Sequence, residues 1–307
     1  MSKTPDLCVK VAGALRLANP VIAASGTWGY GDEYGDIVDV QKLGAIICKG
    51  TTLLPGEGNP QPRIVEVTGG VLNSVGLQNI GVEALIAEKA PLWATWKVPV
   101  LVNIAGNTID EYAKLAARLE GVAGVSGIEV NISCPNVSKG GMHFGTDPSA
   151  ASEITSAVKG ATTLPVIVKL SPNVTDIAAI AQAVEKAGAD AVSLINTVGG
   201  MAIDLKRRRP ALGNVTGGLS GPAIKPIALL MVYRVAGCVN IPVIGCGGVV
   251  DARDALEFIM AGSTAVQVGT AGLADPRATL AVIDGLLEYL ATNGIRSIGD
   301  LRGVARR

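Results

Sequence analysis

The feature that most constrains the fold of this chain is a repeated alternation. Eight short apolar, β-branched runs stand out: "NPVIAAS" (19–25), "GAIICKG" (44–50), "VPVLVNIAG" (98–106), "GIEVNIS" (127–133), "LPVIVKLS" (164–171), "DAVSLINT" (190–197), "IPVIGCGG" (241–248) and "TAVQVGT" (264–270). They are continuous rather than alternating, as parallel strands covered on both faces should be. Between them lie segments with helical spacing of apolar residues, such as 108–121, 175–189 and 250–262. In the last of these, Asp251 is the expected N-cap and Gly262 the expected stop. Three runs begin with the same device, Pro99, Pro165 and Pro242, which is a weak internal repeat. Eight β/α units in 307 residues predict the α/β class and, within it, a TIM (β/α)8 barrel. A doubly wound open sheet is the alternative, but it requires a GxGxxG after an early strand, and the sequence has none. Segment 7–20 is expected to form a small hairpin capping the bottom of the barrel. No linker is visible, so 1–307 reads as a single domain.

Composition narrows the function. A hydrophobic content of 49% supports a large core, and a formal net charge of zero argues against a nucleic-acid partner. The basic cluster at Arg207–Arg209 reads as a solvated loop. The N-terminus has no apolar signal region, and no run reaches the ~18 apolar residues of a membrane span. The expectation is a cytoplasmic protein with no membrane association. Five cysteines, Cys8, Cys48, Cys134, Cys238 and Cys246, are odd in number and widely spaced, with no CxxC. They predict reduced thiols, no disulfide and no metal or iron–sulfur site. Cys48, Cys238 and Cys246 read as small hydrophobes. Trp93 and Trp96 read as packing residues, and Trp28 is expected to line the mouth of a site. The single histidine, His143, could activate Cys134 as a nucleophile, but nothing in the sequence supplies an orienting acid.

Catalytic groups of a barrel come from the C-terminal ends of its strands. The residues at those ends are Ser25, Lys49, Asn103, Asn131, Lys169, Asn196 with Thr197, Gly247 with Gly248, and Gly269 with Thr270. Lys49 and Lys169 each follow at least three apolar residues, and a lysine is rarely buried without a partner or a task. Glycine-rich stretches at 217–222, 245–251 and 268–272 fit the phosphate grip that barrels build after their last two strands, where backbone N–H groups must approach oxygens closely. Cys134 escapes the small-hydrophobe reading because it lies beyond its strand, between Ser133 and Pro135. The residues thus describe a barrel holding a phosphorylated ligand, with lysines, amides and one thiol around its other end.

"CKGTT" (48–52), "NSVGLQN" (73–79), "NISCPN" (131–136), "VIVKLSPN" (166–173), "SLINT" (193–197), "GGLSGPAIKP" (217–226), "IGCGGV" (244–249) and "VQVGT" (266–270) together resemble the class 1 dihydroorotate dehydrogenases, in order along nearly the whole chain. Segments 25–34 and 131–145 resemble the class 1B form. The resemblance implies oxidation of (S)-dihydroorotate to orotate in de novo pyrimidine (UMP) biosynthesis. It implies FMN contacts at Ser25, Lys49, Gly50, Asn103, Asn131, Lys169, Ile195, Gly221, Gly247, Gly248, Gly269 and Thr270. Substrate contacts are implied at Lys49, Asn73, Ser74, Val75, Gly76, Leu77, Asn131, Asn196 and Thr197, with Cys134 as the base. It also implies a partner subunit carrying FAD and a [2Fe-2S] cluster, NAD as final acceptor, and a homodimeric core within a heterotetramer. A fumarate-dependent class 1A enzyme and a dihydropyrimidine dehydrogenase-like enzyme are the alternatives, and a non-redox phosphate-binding barrel is a third.

Overall fold

The computed structural model describes residues 4–133 and 144–306. Its centre is a closed barrel of eight parallel strands: β1 (Val21–Ala23), β2 (Ala45–Ile47), β3 (Val100–Ile104), β4 (Val125–Asn131), β5 (Val166–Leu170), β6 (Ala191–Leu194), β7 (Val243–Cys246) and β8 (Ala265–Val268). Each strand pairs with its neighbours in chain order and β8 closes on β1, which is the TIM-barrel arrangement. Each expected run contains a strand, usually shorter at both ends because the chain bends away as it leaves the ladder. Only β4 starts earlier than expected, at Val125.

The proline repeat has a geometric cause. Pro20, Pro99, Pro165 and Pro242 each immediately precede a strand, and each carbonyl accepts from a neighbouring strand, at Val266, Ile46, Ile128 and Val192 respectively. Proline lacks a donor, so the entry position of a strand is where it fits without breaking the ladder.

Helices cover the outside. Ile109–Leu119, Pro148–Ala161, Ile177–Lys186 and Ala252–Ala261 start at Thr108, Asp147, Asp176 and Asp251, whose side chains accept from first-turn N–H groups. Gly262 closes the last of these at φ 125°, a conformation that favours glycine. Their inward faces, including Leu115, Ile154 and Ile180, pack with outward-facing Val102, Val130 and Val168 in one buried cluster.

The barrel interior divides into two layers. At the bottom, Val11, Ala12 and Leu17 of the hairpin Val9–Ala12/Leu15–Leu17 meet Ile22, Ile47, Leu101, Ile167 and Ile244 in a separate apolar cluster. The hairpin therefore plugs the bottom, as expected from 7–20. Two residues further along β3 to β8, the same inward face carries Asn103, Glu129, Lys169, Ser193, Cys246 and Gln267. The period of two along a strand puts these six side chains in a second, polar layer above the plug.

Over the opposite, C-terminal end sits an antiparallel sheet of Val198–Gly200, Gly217–Ser220, Gly70–Asn73 and Ile64–Val67, in that spatial order. Its strands come from the excursions after β2 and β6, and the sequence pattern did not reveal them.

Candidate active site

The base of the site is the polar layer. Lys169 is 6% exposed and Glu129 is fully enclosed, with 3.8 Å between Lys169 Nζ and Glu129 Oε1. Lys169 Nζ donates to Gln267 Oε1 at 2.6 Å, and Gln267 Nε2 donates to Glu129 Oε1 at 2.7 Å. Ser193 Oγ donates to Glu129 Oε1 and Asn103 Nδ2 to Glu129 Oε2, both at 2.7 Å. Burial works to lower the Lys169 pKa, but Cys246 and Glu129 outweigh it and hold the ammonium above its ordinary value. Burial also pushes the Cys246 thiol up, despite the lysine 3.8 Å from its sulfur. Glu129, with three side-chain donors at 2.7 Å, is the carboxylate that faces the Lys169 ammonium. Lys49, in the loop after β2, is half-buried, and burial lowers its pKa, with Glu33 opposing.

Amides occupy the next level. Asn131, the last residue of β4, accepts from Asn196 Nδ2 at 3.3 Å and from the Ser133 N–H at 3.1 Å. Ser133 Oγ donates back to the Lys169 carbonyl. Asn73 donates to the Gly218 carbonyl, and Gly218 sits so close to Thr197 that a Cβ there would collide with Thr197 Oγ1. From Asn73 the chain runs to Leu77 as a strip pinned from behind by Asn59, which donates to Ser74 Oγ at 2.8 Å. Arg63 braces Asn59 through its carbonyl. In this strip Gly76 has φ 75° and Leu77 φ 55°. A non-glycine residue in that region costs about 1–3 kcal/mol, a strain found where a site fixes the backbone. Asn79 is a clamp for this loop: it bonds Thr52, Leu77 and the Gly81 N–H.

The third element is the glycine set. Gly221, Gly247 and Gly248 have φ 101°, 126° and 79°. A Cβ at Gly248 would meet the Gly221 carbonyl at 3.0 Å and Lys225 Cβ at 2.7 Å. Thr270 Oγ1 donates to Ser220 Oγ at 2.9 Å, tying the loop after β8 to the covering sheet.

These elements enclose a cavity of about 1190 Å3. That exceeds the ~300–1,000 Å3 of a site for one small ligand, leaving space for a cofactor and a substrate together. Every described residue in the expected FMN and substrate sets lines it, from Ser25 and Lys49 through Asn73–Leu77 to Gly269 and Thr270. Cys134 and His143 lie outside the described residues. Ser133, one peptide bond before Cys134, lines the cavity, as does Gly145. Two expectations need correction. Trp28 is fully buried against Tyr34 (rings 5.0 Å apart) and lines no part of the cavity. Cys246 is not a mere space-filler: as the last residue of β7 it faces the cavity beside Lys169. Arg207–Arg209 are exposed on the short hairpin Ile203–Asp204/Arg209–Pro210. Glu129 and Gln267 were not singled out from sequence.

Residues 6–290 match the family model described as dihydroorotate dehydrogenase. The chain belongs to the dihydroorotate dehydrogenase family. Among curated proteins, it is 58% identical over 299 residues to a Geobacter sp. (strain M21) protein, covering 97% of this chain and 98% of that one. It is 56% identical over 302 residues to one from Geotalea daltonii (98% and 99% covered), and 58% over 300 residues to one from Desulforamulus reducens (98% of each). All three relatives are named dihydroorotate dehydrogenase B (NAD(+)), catalytic subunit. Among the described residues no helix is long and apolar enough to cross a membrane.

Proposed function

We propose that this chain, acting as one FMN-binding domain, oxidises (S)-dihydroorotate to orotate in pyrimidine biosynthesis and passes the electrons to a partner subunit that reduces NAD+. The observation that carries this reading is the enclosed Lys169 ammonium at the base of a two-ligand cavity, ringed by amides on one side and glycine loops on the other.

The residues fit a flavin mononucleotide. Among the described residues Asn103 Oδ1 is buried without a partner, an acceptor that a ligand donor would satisfy. The glycine loops after β7 and β8 line the cavity, where their backbone N–H groups would meet a phosphate. FMN would be held by these groups with Ser25, Lys49, Gly50, Asn131, Lys169 and Ile195, and when bound it supplies the acceptor for a hydride from C6 of the substrate. Lys169 places positive charge where a reduced cofactor gains negative charge. Lys49, the strip Asn73–Leu77, Asn131, Asn196 and Thr197 would hold the substrate. Amides offer both donor and acceptor to a flat uracil-like ring, and leaving them unpaired in a dry site disfavours other ligands. Cys134, as thiolate, would take the C5 proton. A free cysteine titrates near 8.5, so no histidine is needed to reach that form.

The relatives' names, with "catalytic subunit" and "NAD(+)" in them, support a division of labour. FAD and a [2Fe-2S] cluster belong on the second chain, around a homodimeric core, in the cytoplasm. Anaerobic addition of dihydroorotate to the yellow protein should bleach the flavin absorbance, and dihydrouracil should not. No bleaching with dihydroorotate, or faster bleaching with dihydrouracil, would overturn the assignment.

A further inference from the structure

Glu129 is the only buried acid among the described residues. An enclosed carboxylate is tolerated only when paired and hydrogen-bonded, and Glu129 receives three donors at 2.7 Å with an ammonium at 3.8 Å. A carboxylate can only accept. That fixes the sense of two side-chain amides that could otherwise face either way. Asn103 turns its NH2 down to Glu129, so its oxygen is left for the cavity beside Gly50, where a Cβ would meet it at 3.1 Å. Gln267 likewise turns its NH2 to Glu129, so its oxygen faces Lys169 and demands a donor.

We propose that Glu129 is a positioning residue: its carboxylate sets the polarity of Asn103 and Gln267 and keeps Lys169 an ammonium at the base of the cavity. This rests on the flavin reading above. Among the described residues, the hydrogen-bond and ion-pair partners of Glu129 are Asn103, Ser193, Gln267 and Lys169, none of them assigned to substrate alone. Among the described residues, Glu129 supplies the only carboxylate charge within ion-pair distance of Lys169. Loss of that charge leaves a desolvated lysine favouring its neutral form.

The test is a double-mutant cycle of Glu129→Gln and Lys169→Met. In holoenzyme with excess FMN, Glu129→Gln should lower the ratio of affinities for reduced over oxidised FMN about tenfold, read as a fall of about 30 mV in midpoint potential for a two-electron couple. In the Lys169→Met background the same change should move the ratio less than twofold. An unmoved potential, or equal falls in both backgrounds, overturns the proposal, since a merely structural role would not run through the lysine. The same cycle in urea unfolding of flavin-free chain should show the double variant losing less than the sum of the singles. That reading stands even if the chain binds no FMN, an outcome that would sink the flavin assignment while leaving the Glu129–Lys169 coupling measured; additive losses there also overturn the proposal. Should Glu129→Gln not fold, Gln267→Met removes the bridging acceptor, and it should produce the same fall in potential; no change would refute the relay.

Discussion

Lys169 and Glu129 face each other across 3.8 Å inside the barrel, with Gln267 bridging them, at the level where the apolar plug gives way to the cavity. The pair comes from adjacent strands, β4 and β5, and the charge it presents upward is the lysine's. Replacing Lys169 with Ala should loosen FMN and lower its reduction potential, and slow flavin reduction by about 10²–10³, the usual loss when one preorganised charge-stabilising group is removed. Lys169→Arg should not restore the rate, because a planar fork cannot occupy the space of a compact ammonium between Gln267 and Cys246. Redox titration and stopped-flow reduction check both; a parental potential in the alanine variant would remove the lysine from this role.

Cys134→Ala should retain FMN and bind orotate yet reduce its flavin ~10²–10⁴-fold more slowly, the range for loss of a general base. Cys134→Ser should also be poor, a hydroxyl being a far weaker base than a thiolate. Anaerobic single-turnover reduction measures this, and a parental rate in the alanine variant would assign the proton to another group.

Much of this site was legible because the residues that form it break their local pattern. Lys49, Asn103, Asn131 and Lys169 are polar at the ends of apolar runs, and a glycine doublet, Gly247–Gly248, follows β7. Glu129 and Gln267 were hidden by the same logic. Each sits mid-run among valines and isoleucines, and a strand buried on both faces shows no alternation to mark which way a residue points. Only closure of the barrel, which brings β4 and β8 within reach of one another's side chains across the interior, reveals them as partners. Cys246 was misread because burial and cavity-facing position look alike in sequence. The covering sheet escaped because it is assembled from segments some 145 residues apart, at Gly70–Asn73 and Gly217–Ser220, the latter carrying two glycines. The helix limits, by contrast, were written locally: Asp251 and Gly262 bracket Ala252–Ala261 as expected.

Gly248→Ala separates phosphate binding from the rest of cofactor recognition. The residue has φ 79°, and its Cβ would press on the Gly221 carbonyl at 3.0 Å. The left-handed region costs a residue with a Cβ roughly 1–2 kcal/mol, and the loop must move to relieve the contact. FMN affinity should fall at least tenfold while riboflavin affinity, which has no phosphate contribution, stays within twofold. Equal losses for both ligands in fluorescence titrations would place the phosphate elsewhere.

Glu120 offers a pH test of the outer layer. Bonds from the Thr162 and Thr163 side chains, with the Thr163 N–H, lower its pKa from 4.5 to about 2. A depressed carboxyl pKa contributes stability that is fully present above about 4.5 and disappears as pH falls towards about 2. Glu120→Gln should therefore reduce stability at pH 7 and flatten its dependence on pH through that window. Urea midpoints between pH 7 and 2 check this; identical slopes for parent and variant would mean that the exposed carboxylate contributes nothing measurable.

The last prediction concerns the route electrons take out of the chain. The sequence has no CxxC, and among the described residues no group of three or more His, Cys, Asp or Glu side chains could hold a metal ion. It also has no GxGxxG after a strand, the fingerprint of a Rossmann-type dinucleotide site. Yet the relatives that match nearly end to end carry NAD(+) in their names. The two facts agree if this chain performs the dehydrogenation and a second chain holds the iron–sulfur cluster, FAD and the nicotinamide site. The purified chain should then oxidise dihydroorotate with a dye acceptor and reduce NAD+ negligibly, and adding the FAD/iron–sulfur subunit should confer NAD+ reduction. Brisk NAD+ reduction by the isolated chain would refute the division, and efficient turnover with fumarate would place the enzyme with the self-sufficient class 1A form.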